Sequence, residues 1–302
     1  MYLKHFGLHT KPFGLNPDPA FLFFSSQHSL AYHMLEYGLL SQSGITVISG
    51  EVGAGKTTLL RHLLDKHDEE ELVVGFMADT EQGDSNKLLS WILQSFDVNE
   101  SGGSRSHKKR LQEFLIDNYS KGKATVLIVD EAQNLGHKSL ENLRLLNNIN
   151  SGRDELLKII LVGQPELLEK LQSPELMQLA QRVTVEFHLD RLSAADAAGY
   201  IEHRLKVAGA QTEIFDRAAT YGIYYLAGGV PRLMNTLCDY ALVYGFATGE
   251  HQIGIEAVIE VAKGRRIGGI NRQPIETEGM SIARNYVLQK TGYDLALQIG
   301  RS

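Results

Sequence analysis

Gly50-Glu51-Val52-Gly53-Ala54-Gly55-Lys56-Thr57 combines glycines, a lysine and a hydroxyl in the order that phosphate binding needs. The run matches G-x-x-x-x-G-K-[ST], directly after an apolar strand pattern and directly before a helical one. Glycines let the backbone curl so that successive N–H groups point at phosphate oxygens. The helix that follows adds its positive N-terminal end. In such a loop Lys56 reaches the β- and γ-phosphates and the Thr57 hydroxyl ligates Mg²⁺, with Thr58 closing the binding segment.

A second pair of residues carries complementary chemistry. Thr125-Val126-Leu127-Ile128-Val129 is an apolar strand pattern that ends in two carboxylates, Asp130 and Glu131. An acid at the C-terminal end of a parallel strand lies in the crevice where such folds bind ligands. Asp130 is expected to hold Mg²⁺ through water, and Glu131 to polarise an attacking water as general base.

These residues need strands that end beside one another. Short β-branched apolar runs at 45–49, 72–78, 125–129, 158–162 and 183–189 alternate with helical patterns at 56–66, 85–96, 108–118 and 138–149. Runs apolar on both faces and separated by helices imply a parallel sheet covered on both sides. The expected fold class is therefore α/β, a three-layer phosphate-loop core with a five-stranded parallel sheet. After Leu192 the strand signals stop and helical patterns run to about Lys263, so a small helical lid domain follows the core. The expected division is an irregular segment 1–30 broken by Pro12, Pro17 and Pro19, a core 31–190, a helical lid 191–265 and a tail 266–302. The tail holds Gly268-Gly269, Pro274 and one helical pattern at 281–288.

Composition sets the bounds. A chain of 302 residues with 43% hydrophobic and 22% charged residues has ordinary globular usage, which excludes a disordered, collagen-like or disulfide-scaffold protein. At roughly 150 residues per domain the length allows about two domains. The net charge of −6 disfavours nucleic acid or an anionic membrane as partner of the whole surface. Cys238 is the single cysteine and fits a reducing compartment. Without a signal-peptide or membrane-spanning pattern, the expected location is cytoplasmic, with recruitment to the inner face of the membrane by a partner left open.

With both motifs placed, the chain resembles the AAA+ ATPases, and more narrowly the ExeA-type group of secretion and pilus-biogenesis proteins. Three segments carry the narrower match: Met1-Tyr2-Leu3-Lys4-His5-Phe6-Gly7-Leu8 with Lys11-Pro12-Phe13 and Asn16-Pro17-Asp18-Pro19, the loop from Ile48 to Arg61, and Val129-Asp130-Glu131-Ala132-Gln133-Asn134-Leu135. TnsC-type transposition regulators share much of this pattern. The resemblance implies Mg²⁺-dependent ATP hydrolysis that drives or regulates assembly of an envelope secretion or pilus machine, by a homo-oligomeric ring or filament working with a secretion or pilus assembly protein. Two other readings stand beside it, a DNA-binding ATPase regulator of transposition and a nucleotide-dependent scaffold with little turnover. The family pattern also assigns roles. Gln164 matches the polar first sensor, Arg232 in Gly228-Gly229-Val230-Pro231-Arg232 matches the second sensor, and Arg182 matches an arginine finger given to a neighbouring subunit, with Arg191 as competitor.

The remaining features carry less. The basic run Arg105-Ser106-His107-Lys108-Lys109-Arg110 and the weaker Lys263-Gly264-Arg265-Arg266 could meet phosphates, but charge runs are usually solvated faces and no aromatics interleave them. Asp68-Glu69-Glu70-Glu71 reads as a solvated loop, Trp91 as packing, and the scattered histidines as no zinc site. The aromatic group Phe21-Leu22-Phe23-Phe24 reads as core packing.

Overall fold

The computed structural model describes residues 1–40, 44–67, 71–78, 85–98, 104–151, 154–265 and 277–299. Residues 68–70 of the acidic run, Gly102-Gly103, Arg266, Gly268-Gly269, Pro274 and the side chain of Arg105 lie outside the described residues. The chain divides into two compact units. One comprises Ser29–Glu51 and Leu59–Leu189, and the other Met1–His28, Val52–Thr58 and the chain from Asp190 onward.

The first unit is built on a parallel sheet. Its strands are β1 (Ile45–Gly50), β2 (Leu72–Met77), β3 (Ala124–Val129), β6 (Lys158–Gly163) and β7 (Val183–Leu189), while β4 (Asn150–Ser151) and β5 (Asp154–Glu155) form a separate antiparallel pair. The sheet order is β2-β3-β6-β1-β7, every neighbouring pair being parallel. In β1, β3 and β6 residues of both faces are buried, Val47, Leu127 and Leu161 on one side and Ile48, Ile128 and Ile160 on the other. This is why the central strands read as continuous apolar runs. The edge strands β2 and β7 are only partly buried. Trp91 packs half-buried against the core beneath one face.

The second unit is helical, with helices Ala194–Val207, Arg217–Ala227, Pro231–Thr248, Ile255–Gly264, Glu278–Thr291 and Leu295–Ile299. Local signals set their starts. The Ser193 and Asp216 side chains accept from the backbone N–H groups of Asp196 and Ala219, and Gly228 in the left-handed region ends the second helix.

The segment read as irregular is ordered in this unit. Tyr2–His5 forms one helical turn, a helix starts at Ser26, and Tyr2, Phe6, Phe13 and Phe21 are buried in the helical core. Arg204 anchors the segment. Its Nε donates to the Pro12 carbonyl at 2.6 Å and its guanidinium stacks over Phe21 at 4.9 Å. The helix expected at 281–288 spans Glu278–Thr291 and buries Met280, Ala283 and Val287 in the same core. Its Arg284 grips Asp294 through two N–H groups at 2.6 and 2.8 Å.

Candidate functional site

The sheet brings three chain segments to one edge. β3 runs into Asp130 and Glu131, β6 into Gln164 and β1 into Gly50-Glu51, and β6 lies between the other two. In this order the ends of β1 and β3 are separated by two strand spacings, roughly 10 Å.

Around Glu131 the geometry is specific. Glu131 adopts the left-handed conformation at φ 51°, which costs a non-glycine residue of order 1–3 kcal/mol and persists where surrounding contacts hold it. Its backbone N–H donates to Asp130 Oδ1 at 2.9 Å, and the Asp130 N–H donates to the Met77 carbonyl at 2.8 Å. Its carboxylate oxygen Oε2 accepts from Gln164 Nε2 at 3.0 Å and from Gln133 Nε2 at 2.5 Å. Glu131 and Gln164 are therefore in direct contact. Gln133 lies two residues beyond Glu131, and its sequence position gives no signal of this contact.

In the helical unit, the loop segment Val52–Thr58 carries the signs of a phosphate cradle. Gly53 and Gly55 have φ of 84° and 104°, values that side-chain-bearing residues rarely adopt. Lys56 is 8% exposed and opens the helix Lys56–Leu64, with Thr57 in its first turn. Arg232 opens the helix Pro231–Thr248, and its N–H donates to the Gly53 carbonyl at 3.3 Å. A Cβ at position 53 would lie 2.3 Å from the Arg232 Cβ, so the loop backbone and this helix start are in contact.

His28 is a functional candidate that no motif reveals. It is 4% exposed and its Nε2 lies 3.1 Å from the Ala54 carbonyl, while Nδ1 lies 2.7 Å from Ser25 Oγ. A carbonyl only accepts, so Nε2 carries the proton and Nδ1 accepts from the serine hydroxyl. Burial holds the imidazole below its ordinary range, so the ring is neutral at pH 7. The ring therefore braces the loop from behind. His28→Ala is expected to cost about 1–3 kcal/mol, from the buried Ala54 and Ser25 groups left without it, and to weaken ATP binding several-fold. Thermal unfolding and a fluorescent-ATP titration check this, and unchanged affinity would show that the loop keeps its shape without the ring. Because the folded-state value lies below the unfolded one, the ring's contribution is present above about pH 6.5 and lost as pH falls below it.

The two competing arginines occupy different places. The Arg182 carbonyl accepts from the Ile45 N–H at 3.0 Å, which puts it at the start of β1, roughly 17 Å along that strand from Gly50. Its guanidinium pairs with Glu155 at 3.1 Å and is 43% exposed. Arg191 belongs to the helical unit, with its guanidinium 3.5 Å from the Gly228 carbonyl. Of the basic run, Lys109 forms an exposed helical pair with Glu113 at 3.6 Å. Phe21 and Phe23 pack against Arg204 and Tyr200 in the helical unit.

Sheet order, phosphate loop and paired acids define a nucleotide-binding protein of the AAA+ class. Residues 39–171 match the family model described as an AAA domain. The chain thus carries an AAA domain and is similar to general secretion pathway protein A of Aeromonas hydrophila, with 38% identity over 285 residues, 94% of this chain. The chain spans 51% of that relative's length. In fold it is similar to the ORC2 protein of Aeropyrum pernix, with TM-score 0.65 and 17% identity, over 85% of this chain and 71% of that one. It is also similar to domain III of the replication initiation protein DnaA of Thermotoga maritima, with TM-score 0.54 and 22% identity, over 83% of this chain and 98% of that one. Among the described residues no helix is long and apolar enough to cross a membrane.

Proposed function

We propose that the chain binds ATP with Mg²⁺ and hydrolyses it to ADP and phosphate, and that the cycle drives self-association and assembly of an envelope secretion or pilus machine. The observation that carries the hydrolytic reading is the Glu131 carboxylate, fixed at the sheet edge by the Gln164 and Gln133 amides. Water attacks the γ-phosphorus, its oxygen forming the new bond while the bond to the bridging oxygen breaks. The electron pair leaves on the β-phosphate and the water proton passes to Glu131. Gly50, Glu51, Val52, Gly53, Ala54, Gly55 and Thr58 supply backbone around the phosphates, and Lys56 supplies charge. The positive-φ glycines and the buried lysine fit that group. Thr57 and Asp130 are hard oxygen donors of the kind that holds Mg²⁺. The ion, when bound, neutralises charge developing on the phosphates.

Gln164 orients the water and γ-phosphate, Arg232 reads the nucleotide from the helical unit, and Arg182 completes the site of a neighbouring subunit. The position of Arg182 at the far end of β1 supports that last role, since it cannot reach the loop that follows β1 in its own chain. The secretion reading rests on the similarity to general secretion pathway protein A. We place the molecule on the cytoplasmic side, recruited to the membrane by a partner.

Lys56→Ala is expected to weaken fluorescent-ATP binding about 10- to 100-fold, the loss of charge-assisted bonds worth about 1.5–3 kcal/mol. Wild-type affinity in that variant would move the nucleotide away from this loop. Turnover measured with and without duplex DNA addresses the transposition reading, which gains if DNA stimulates hydrolysis.

A further inference from the structure

Gln133 does more than decorate the turn after β3. Its carboxamide works in two directions at once. Nε2 donates to Glu131 Oε2 at 2.5 Å, and Oε1 accepts from the Gln164 backbone N–H at 3.0 Å. One side chain thus ties Glu131, the second residue after β3, to Gln164, the residue after β6. A carboxylate here could keep the second bond but would lose the first, having no proton to donate.

The surroundings hold the amide in place. Gly163 admits it, since a Cβ at that position would lie 2.9 Å from Gln133 Oε1. Lys170, from the helix Pro165–Leu171, donates to the carbonyls of Gln133 and Leu135 and so fixes the short turn Ala132–Asn134 that presents the side chain. The left-handed backbone of Glu131 directly precedes this turn. Both amide donors fall on the same oxygen of Glu131, which sets the plane of the carboxylate.

We propose that Gln133 is a positioning residue for hydrolysis, setting the Glu131 carboxylate and Gln164 relative to one another without touching the nucleotide. The inference rests on Glu131 as the base that receives the water proton. A general base gains its effect only when its lone pair faces the attacking water, and misplacement of about 1 Å costs about 10²-fold. Gln133 thereby acts on the chemical step and not on nucleotide affinity.

The experiment uses the full chain, with steady-state phosphate release for kcat and KM, fluorescent-ATP titration for affinity and thermal unfolding for integrity. Gln133→Ala is expected to lower kcat about 10²-fold with KM and affinity changed less than about twofold. Gln133→Glu, which keeps the acceptor for Gln164 but faces the Glu131 carboxylate with a like charge, is expected to lose kcat alike and to melt lower, with ATP affinity unchanged. In the Glu131→Gln background Gln133→Ala is expected to remove nothing further, since the two act as one unit. Wild-type kcat in either Gln133 variant overturns the inference. So does a loss shared between KM and melting temperature, which marks a purely structural amide. Glu131→Gln alone separates the two levels. If it turns over normally, the base assignment fails, and if it is inactive while Gln133→Glu is not, only the role of Gln133 fails.

Discussion

Glu131→Gln is expected to lower ATP turnover about 10²- to 10⁴-fold, the contribution of a positioned general base, while leaving ATP affinity within about twofold. The substitution is nearly isosteric and the site already holds two amides. Gln133 and Gln164 both donate to Oε2 of Glu131, so the new carboxamide can keep its oxygen toward them. What it loses is the capacity to accept a proton from water. The loop Val52–Thr58, with its own glycine conformations and buried Lys56, is unaltered by the change. Phosphate release and fluorescent-ATP titration on the same preparation read the two quantities. The variant is expected to accumulate in the ATP-bound form, so light scattering should show larger assemblies with ATP than in the wild type at equal time. Unchanged turnover would remove Glu131 from the chemistry and favour a nucleotide-dependent scaffold.

The part of the molecule that could be read from sequence is the part whose physics is local. Strands β1, β3 and β6 are buried on both faces, which forces apolar residues at consecutive positions, and the expected runs at 45–49, 125–129 and 158–162 fall within one residue of them. The phosphate loop was legible because its glycines answer to backbone angles. The packing of the N-terminal segment was not, because it comes from Arg204, about 190 residues later, which donates to the Pro12 and Gly14 carbonyls and stacks over Phe21. His28 and Gln133 were missed for the same reason. Each is one polar side chain whose role depends on a partner from another element, Ala54 or Gln164, and no spacing rule encodes that meeting. The pair β4–β5 has two residues per strand, too short for any period to show. Yet it carries Glu155, which holds Arg182.

Arg182→Ala is expected to reduce turnover about 10³- to 10⁵-fold if it serves as a finger in trans, with no change in ATP affinity. The location makes the trans requirement physical. Arg182 stands at the start of β1 and Gly50 at its end, roughly 17 Å away along a strand of six residues that cannot be shortened. An arginine there is expected to assist hydrolysis at a site presented by another copy. Mixing therefore discriminates. Lys56→Ala keeps the arginine but lacks the loop lysine, and Arg182→Ala keeps the loop but lacks the arginine. Each alone is expected to turn over far more slowly than the wild type, whereas the mixture is expected to regain turnover at contacts that pair an intact loop with an intact arginine. Arg191→Ala in the same assay should hold most of the wild-type rate, since its guanidinium lies beside the Gly228 carbonyl of its own chain. If the mixture stays inactive while Arg191→Ala abolishes turnover, the finger is Arg191. The ion pair to Glu155 adds a further condition, because Arg182 must leave a carboxylate of its own chain, only 8% exposed, before it can serve a neighbour. Exchanging that partner for a neighbour's phosphate is favourable only where a nucleotide is bound next door, and this would make subunit contact and hydrolysis depend on one another.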